Sequence, residues 1–202
     1  MDTLHIIELV ATFFGLINVY LLTRQNIWAW PAGIIMVSLY VYIFYVSRLY
    51  SDFILNIIYV ILNVYGWWYW TRKSRSAIVS EEEEEEDLVP VTRLSSRAST
   101  AWGALIVVGT VIWGYLMDVN TDADFAYFDA FTTVASLTAQ YLLARKKLEN
   151  WLIWIVVDVM AINIYYLKGL YFTSALYGVF LALCVLGYIE WKRSMKEHAL
   201  SA

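Results

Sequence analysis

The chain has 202 residues, of which 61% are hydrophobic and only 16% carry a charge. A soluble domain carries roughly 25% charged residues, so this composition excludes an ordinary water-soluble surface and indicates a protein of the lipid bilayer. The net charge of −4 depends on the acidic run Glu81–Asp87, and the lysines and arginines form no basic nucleic-acid footprint; the single cysteine excludes an intramolecular disulfide.

Uninterrupted apolar runs of about 17–25 residues predict membrane-spanning helices. In chain order they cover 6–22, 28–47, 53–70, 101–117, 125–144, 151–167 and 170–189. The first run has no basic segment before it and no small-residue cleavage site after it, so we predict a retained helix rather than a signal peptide. The sequence therefore predicts an all-α polytopic membrane protein with seven transmembrane helices.

The loops give this bundle an orientation. Only Arg48 and Lys168, of the 14 lysines and arginines, fall on one side of the predicted membrane. Basic residues concentrate on the cytoplasmic side, so the chain is predicted to be an inner-membrane protein with its N-terminus outside and its C-terminus in the cytoplasm. The acidic run Glu81–Asp87 then lies in a cytoplasmic segment, which is typical of a solvated linker; a regulatory or ion-binding role is the alternative.

The sequence repeats itself at an offset of 121 residues, the distance from Arg24 to Arg145. At this offset Tyr20, Arg24, Trp30, Tyr50, Gly66 and Trp70 fall on Tyr141, Arg145, Trp151, Tyr171, Gly187 and Trp191. A three-helix unit crosses the membrane an odd number of times, so a second unit directly after it would be inverted. The lone helix at 101–117 restores the original direction, which predicts a 3 + 1 + 3 parallel repeat with a substrate site between the repeats. The predicted domains are a first bundle at 1–70, a cytoplasmic acidic linker at 71–100, a linker helix and outer loop at 101–124, and a second bundle and tail at 125–202.

Three carboxylates fall inside the predicted spans, where a buried charge is costly and indicates a functional site. Glu8 and Asp129 are repeat equivalents near the outer ends of their helices, where a structural or capping role is favoured. Asp158 lies deeper. A proton-coupled secondary transporter that uses these three acids is one alternative function.

The sixth helix carries Asp158 on one stripe with Trp151, Trp154 and Tyr165. Aromatic faces attract cations, and a carboxylate compensates a positive charge in a low-dielectric interior, so this stripe predicts a site for a flat cation. The alternatives are an interfacial position for Trp151 and a structural salt bridge or hydrogen bond for Asp158.

Other polar side chains lie on the third and fifth helices. Amides offer both donors and acceptors, so Gln140, Asn63 and Asn56 are predicted to line the cavity. Thr133 and Ser136 are predicted instead to join helices by hydrogen bonds. The tryptophans at helix ends are predicted to form an aromatic belt at the membrane surface; they are Trp28, Trp30, Trp67, Trp68, Trp70, Trp102 and Trp191.

Four blocks of sequence resemble the PnuC-type bacterial vitamin transporters. They are Asn26–Gly33, Leu49-Tyr50, Tyr65-Gly66-Trp67, and Glu149-Asn150-Trp151-x-x-Trp154-x-x-x-Asp158. The resemblance implies a SWEET-like fold and facilitated diffusion of nicotinamide riboside or, in the related PnuT branch, thiamine. It also implies a place in the bacterial inner membrane, with the N-terminus in the periplasm, and metabolic trapping by a cytosolic vitamin kinase.

The resemblance implies site roles as well. Trp151 and Trp154 would frame the aromatic ring of the vitamin, and Gln140 and residue 158 would contact it. Nicotinamide riboside carriers have asparagine where this chain has Asp158, and aspartate there is similar to the thiamine branch. Both vitamins carry a ring cation, so the charge leaves the choice open.

The chain lacks the residues that several other classes of membrane protein require. A seven-helix receptor with a retinal Schiff base would need a lysine within 170–189, which has none. We predict no enzyme, because the spans hold no Ser/His, Cys/His or His-x-x-x-His arrangement. His5 and His198 lie at opposite ends of the chain, so no metal and no cofactor are predicted. The predicted partners are the lipid bilayer and a small vitamin; a homo-oligomer stays open.

Overall fold

The computed structural model describes residues 3–77, 89–121, 125–167 and 169–201. The acidic run Glu81–Asp87 and Lys168 lie outside these ranges. The described chain folds into seven helices, which confirms the all-α prediction: α1 Thr3–Thr23, α2 Ala29–Val46, α3 Tyr50–Ala77, α4 Ser96–Asn120, α5 Ala126–Ala144, α6 Glu149–Leu167 and α7 Tyr171–Ser201. Helices α3, α4 and α7 are longer than the predicted spans, because polar residues continue each helix beyond its apolar part.

Six of the seven described helices are long and apolar enough to cross a membrane, and α5 is less apolar than the others. The polar side chains of α5 lie among buried neighbours, since ten of its 19 residues are buried and α3, α4 and α6 all pack against it. At about 1.5 Å per residue these 19 residues span about 28 Å, close to the ~30 Å hydrocarbon core. Helix α5 is therefore an interior transmembrane helix, screened from lipid on several sides.

The helices pack as two triplets and one extra helix. Helix α2 packs between α1 and α3, and α6 packs between α5 and α7. Between the triplets α1 contacts α7, and α3 contacts α5. Helices α1 and α3 are the repeat equivalents of α5 and α7, so these two contacts are equivalent to each other. This equivalence defines a pseudo-two-fold axis between the triplets and confirms the 3 + 1 + 3 arrangement. Helix α4 packs only on α5 within the described chain, and a Cβ at Gly114 would lie 2.4 Å from the ring of Tyr127.

The backbone repeats as closely as the sequence does. Gln25 and Lys146 adopt left-handed φ angles of 55° and 50°, and Arg48 and Gly169 adopt 60° and 73°. Both pairs are separated by the repeat offset, and a left-handed φ is uncommon for residues other than glycine. The loop between α1 and α2 and the loop between α5 and α6 therefore have the same turn geometry. Both lie at one end of the bundle, which we call the linker end because the segment before α4 also lies there.

Candidate functional site

Four buried tryptophans form the centre of the linker end. Trp30, Trp70, Trp151 and Trp191 are each at most 1% exposed. Trp30 packs edge-to-face on Trp70 with ring centroids 5.2 Å apart, and Trp151 packs on Trp191 in the same way at 5.3 Å. Trp70 and Trp191 meet across the pseudo-two-fold axis at 6.2 Å. Edge-to-face geometry is the favoured arrangement of aromatic pairs, so this tryptophan cluster packs the two repeats together.

Two indole hydrogen bonds also cross between the repeats. Nε1 of Trp70 donates to the carbonyl oxygen of Ala144 at 3.0 Å, and Nε1 of Trp191 donates to that of Leu22 at 2.9 Å. These acceptors lie in the last turns of α5 and α1, where the final carbonyls of a helix have no partner in their own helix. Each triplet therefore satisfies the helix end of the other.

The tryptophan cluster corrects the prediction of an aromatic belt. Trp30, Trp70 and Trp191 are interior residues, whereas Trp28 is 68% exposed and Trp67 and Trp68 are also exposed. Trp151 is likewise buried in the cluster, where it packs on Trp191, and is not exposed at the surface of the bundle. Proximity to a helix end was not sufficient evidence for a belt position, because here the helix ends meet one another.

A lysine lies buried at the pseudo-two-fold axis. Lys146 is fully buried, its Nζ donates to Oε1 of Gln25 at 2.8 Å, and the same Nζ lies 4.4 Å from the ring centroid of Trp70. Gln25 and Lys146 are repeat equivalents, so their contact lies on the axis itself. Burial lowers the pKa of Lys146 from 10.5 to about 7, although the tryptophan face and the amide oxygen favour the charged form.

We expect this lysine to make stability depend on pH. Because its pKa is lower in the folded protein than in the unfolded chain, the unfolded chain binds more protons between pH ~7 and ~10.5, and stability rises with pH across that window by at most about 1.4 kcal/mol per pH unit. Thermal unfolding in detergent between pH 7.5 and 9 should show a steeper rise for the native protein than for Lys146→Met. Equal pH slopes would contradict the assignment.

The predicted stripe on α6 faces α7. Asp158 is 3% exposed, and its Oδ2 accepts a hydrogen bond from Sγ of Cys184 at 3.3 Å. The ring of Tyr165 stacks on Tyr177 with centroids 5.3 Å apart. Trp154 is half-buried and packs against the tryptophan cluster. The structure therefore places the acid and its aromatic neighbours on the inner side of the second triplet.

The first triplet carries two buried amides at the equivalent depth. Nδ2 of Asn63 donates to the carbonyl of Tyr59 at 2.8 Å, and Nδ2 of Asn18 donates to that of Ala29 at 2.7 Å. A Cβ at Gly33 would lie 2.5 Å from Oδ1 of Asn63 and 2.7 Å from Nδ2 of Asn18. The two amides therefore converge on Gly33.

The remaining predicted residues lie on α3 and α5. Gln140 is buried on α5, and Asn56 is half-buried and bonded to Asp52 of its own helix at 2.9 Å. The hydroxyl of Tyr59 donates to Oγ of Ser136 at 2.5 Å, which joins α3 to α5 and confirms the helix-joining role predicted for Ser136. Within the described residues no three acids, histidines or cysteines group as metal ligands.

Sequence reasoning missed Asn18, Gly33 and Cys184. A comparison of the two repeats could have found them. A binding site that is asymmetric uses positions at which the two repeats have different residues. Gly33 is equivalent to Trp154, Asn63 is equivalent to Cys184, and Val37 is equivalent to Asp158. The first half thus has a glycine, an amide and a valine where the second half has an indole, a thiol and an acid.

A two-fold repeat of three helices around buried polar and aromatic groups defines a membrane carrier. The sequence profile described as "Nicotinamide mononucleotide transporter" matches residues 5–193. The chain belongs to this family, which confirms the PnuC-type resemblance and sets the receptor alternative aside. It is a multi-pass transporter of the bacterial inner membrane.

Individual relatives resemble nearly the whole chain. The nicotinamide riboside transporter PnuC of Escherichia coli is 28% identical over 97% of this chain and 89% of its own length. The riboflavin/roseoflavin transporter RibM of Streptomyces davaonensis is 26% identical over 93% and 85%. The crystal structure of the vitamin B3 transporter PnuC superposes with a TM-score of 0.72 and 27% identity, covering 95% of this chain and 83% of that one.

Proposed function

We propose that this protein carries a vitamin with a cationic aromatic ring, nicotinamide riboside or thiamine, by facilitated diffusion. The two triplets move against each other and open the site alternately to each side, and a cytosolic kinase traps the vitamin by phosphorylation. The linker end faces the cytoplasm. The proposed binding residues are Trp151, Trp154, Asp158, Gln140, Asn63, Tyr165 and Asn56; Trp151, which the tryptophan cluster encloses in this structure, would contact the vitamin only when that cluster opens.

Asp158 is the single observation that carries this proposal. It is a buried acid inside a membrane helix, and its hydrogen-bond partner in the described chain is a thiol, Cys184. A buried carboxylate is costly unless a positive charge accompanies it. A ring cation bound beside Trp154 would supply that charge, and the aromatic face would attract it further.

The relatives favour a vitamin and leave its identity to experiment. Several similar proteins are named as nicotinamide riboside transporters, and one is named for riboflavin. Riboflavin has an uncharged ring system, so it serves as a control for the charge argument. The buried acid favours the two cationic vitamins over riboflavin.

The direct test is a binding titration of the purified protein with thiamine, nicotinamide riboside and riboflavin. Ten tryptophans give an intrinsic fluorescence signal, and calorimetry gives an independent measurement. We expect one of the two cationic vitamins to bind at least about tenfold more tightly than riboflavin, a difference of about 1.4 kcal/mol. Tightest binding of riboflavin would contradict the proposal.

The alternative mechanism is proton coupling through Asp158, Asp129 and Glu8. Glu8 is exposed on α1 and Asp129 is half-buried near the start of α5, so the structure does not gather the three acids into one buried group. Uptake into proteoliposomes separates the mechanisms. Facilitated diffusion predicts equilibration that an uncoupler leaves unchanged, whereas uphill uptake driven by an imposed pH gradient would establish coupling.

A further inference from the structure

The segment before α4 enters the core although it belongs to no helix. Val89 and Val91 are 6% and 5% exposed, and Ser95 then begins α4 by accepting a hydrogen bond from the backbone N–H of Ala98 at 3.3 Å. A solvated linker has no reason to bury two valines. We call the segment Val89–Leu94 the linker strap.

The linker strap is bonded to the loop between α5 and α6. The backbone N–H of Thr92 donates to the carbonyl of Lys146 at 3.1 Å, and the N–H of Leu148 donates to the carbonyl of Thr92 at 3.0 Å. The N–H of Leu94 donates to Oε2 of Glu149, the first residue of α6, at 3.0 Å. Nζ of Lys147 adds a bond to Oγ1 of Thr92 at 2.8 Å.

The same strap reaches the first triplet through its side chains. Val91 belongs to the buried cluster that contains Leu22, Trp30 and Trp70 of the first triplet and Leu143, Trp151 and Trp191 of the second. Lys146, which accepts the strap's backbone bond, is itself bonded to Gln25 of the first triplet. In the described part of the chain, the equivalent loop between α1 and α2 has no such strap.

We propose that Val91 and Thr92 are positioning residues of the transport cycle. The linker strap fixes the start of α6, which carries Trp151 and Trp154, and it holds the linker end closed. For the triplets to separate at that end, Val91 must leave the tryptophan cluster. This inference rests on the alternating-access movement of the proposed function.

The single cysteine of the chain is a built-in reporter of opening. Cys184 is buried beside Asp158, seven residues or about 10 Å along α7 from Trp191, so a water-soluble maleimide reaches it from the linker end only when that end opens. Labelling is measured in inside-out and in right-side-out membrane vesicles. Glu197→Cys in a Cys184→Ser background identifies which vesicles present the linker end, because Glu197 is an exposed residue of α7.

The test compares Thr92→Pro, which lacks the donor N–H, with Thr92→Ala, which keeps it. We expect Thr92→Pro to raise the labelling rate of Cys184 about tenfold, and only from the linker end, because the lost hydrogen bond shifts the population toward the open form. Thr92→Ala should label close to the native rate. Val91→Thr, of nearly the same size, should give a smaller rise with the same sidedness.

Two outcomes would overturn the positioning role. Unchanged labelling of Thr92→Pro and Val91→Thr would show that the strap does not hold the end closed, and equal acceleration from both sides would show general loosening. A different result would contradict the proposed function. In that case the vitamins would not protect Cys184 of the native protein from labelling, whatever the strap variants do.

Discussion

Replacement of Gly187 by alanine should destabilise this protein strongly. A Cβ at this position would lie 2.6 Å from two atoms of the Trp151 indole, closer than such contacts allow. Trp151 is fully enclosed and packs edge-to-face on Trp191, so the ring cannot turn aside and α6 and α7 must separate. Overpacking of a buried site typically costs about 1–3 kcal/mol, and here we expect the upper end of that range.

The same helix offers a matched control. Nothing lies within 4 Å of a Cβ built at Gly178, so Gly178→Ala should stabilise α7 slightly, by about 0.5–1 kcal/mol. Thermal unfolding of the purified variants in one detergent gives the comparison. Gly66→Ala, the repeat equivalent, would meet the ring of Trp30 at 2.2 Å and should behave like Gly187→Ala. If Gly187→Ala and Gly178→Ala unfolded at the same temperature, the close packing against Trp151 would be refuted.

The number and order of the helices followed from the sequence because a bilayer imposes a simple rule. Each crossing needs about 20 apolar residues, and six helices satisfy that rule on composition alone. Helix α5 was found because it holds a single charged residue, Asp129, and because the repeat offset aligns it with α1. The repeat was predictable for a similar reason, since Arg24 and Arg145 terminate equivalent helices and keep the same register.

The tryptophan cluster and the linker strap could not be predicted in the same way. Burial of Trp70 depends on how the ends of α3, α5 and α7 meet, and a residue's distance from a helix end contains no information about that contact. Val91 lies in a short stretch of mixed polarity after the acidic run, and its burial accompanies a backbone pairing between Thr92 and Lys147, 55 residues away. Both features are tertiary contacts between segments that are each unremarkable alone.

We expect Asp158→Asn to weaken binding of a cationic vitamin by about 30- to 100-fold. Two unit charges about 4 Å apart attract by about 4 kcal/mol at the effective dielectric constant of protein sites, and desolvation of the cation offsets part of this. Asparagine keeps the size of the side chain and removes its charge. Titration of the purified variant with thiamine and nicotinamide riboside measures the loss.

An uncharged analogue separates charge from shape. The reduced, dihydropyridine form of nicotinamide riboside has nearly the same outline and no ring cation, so its affinity should change little in Asp158→Asn. Cys184→Ala is the matched control, because it removes the thiol that bonds Asp158 and leaves the carboxylate in place. An equal loss for the cation and for its neutral analogue would show that residue 158 recognises shape instead of charge.

The unfolding temperature of the protein without ligand gives a second, independent test of the role of Asp158. If Asp158 is kept for a substrate cation, the unliganded protein holds a buried carboxylate without a compensating charge, and Asp158→Asn should unfold at a higher temperature than the native protein. If Asp158 forms a structural salt bridge, the same substitution should lower that temperature. Weaker binding together with higher stability is expected only of a residue whose charge serves the ligand, and that combination would place Asp158 in the substrate site.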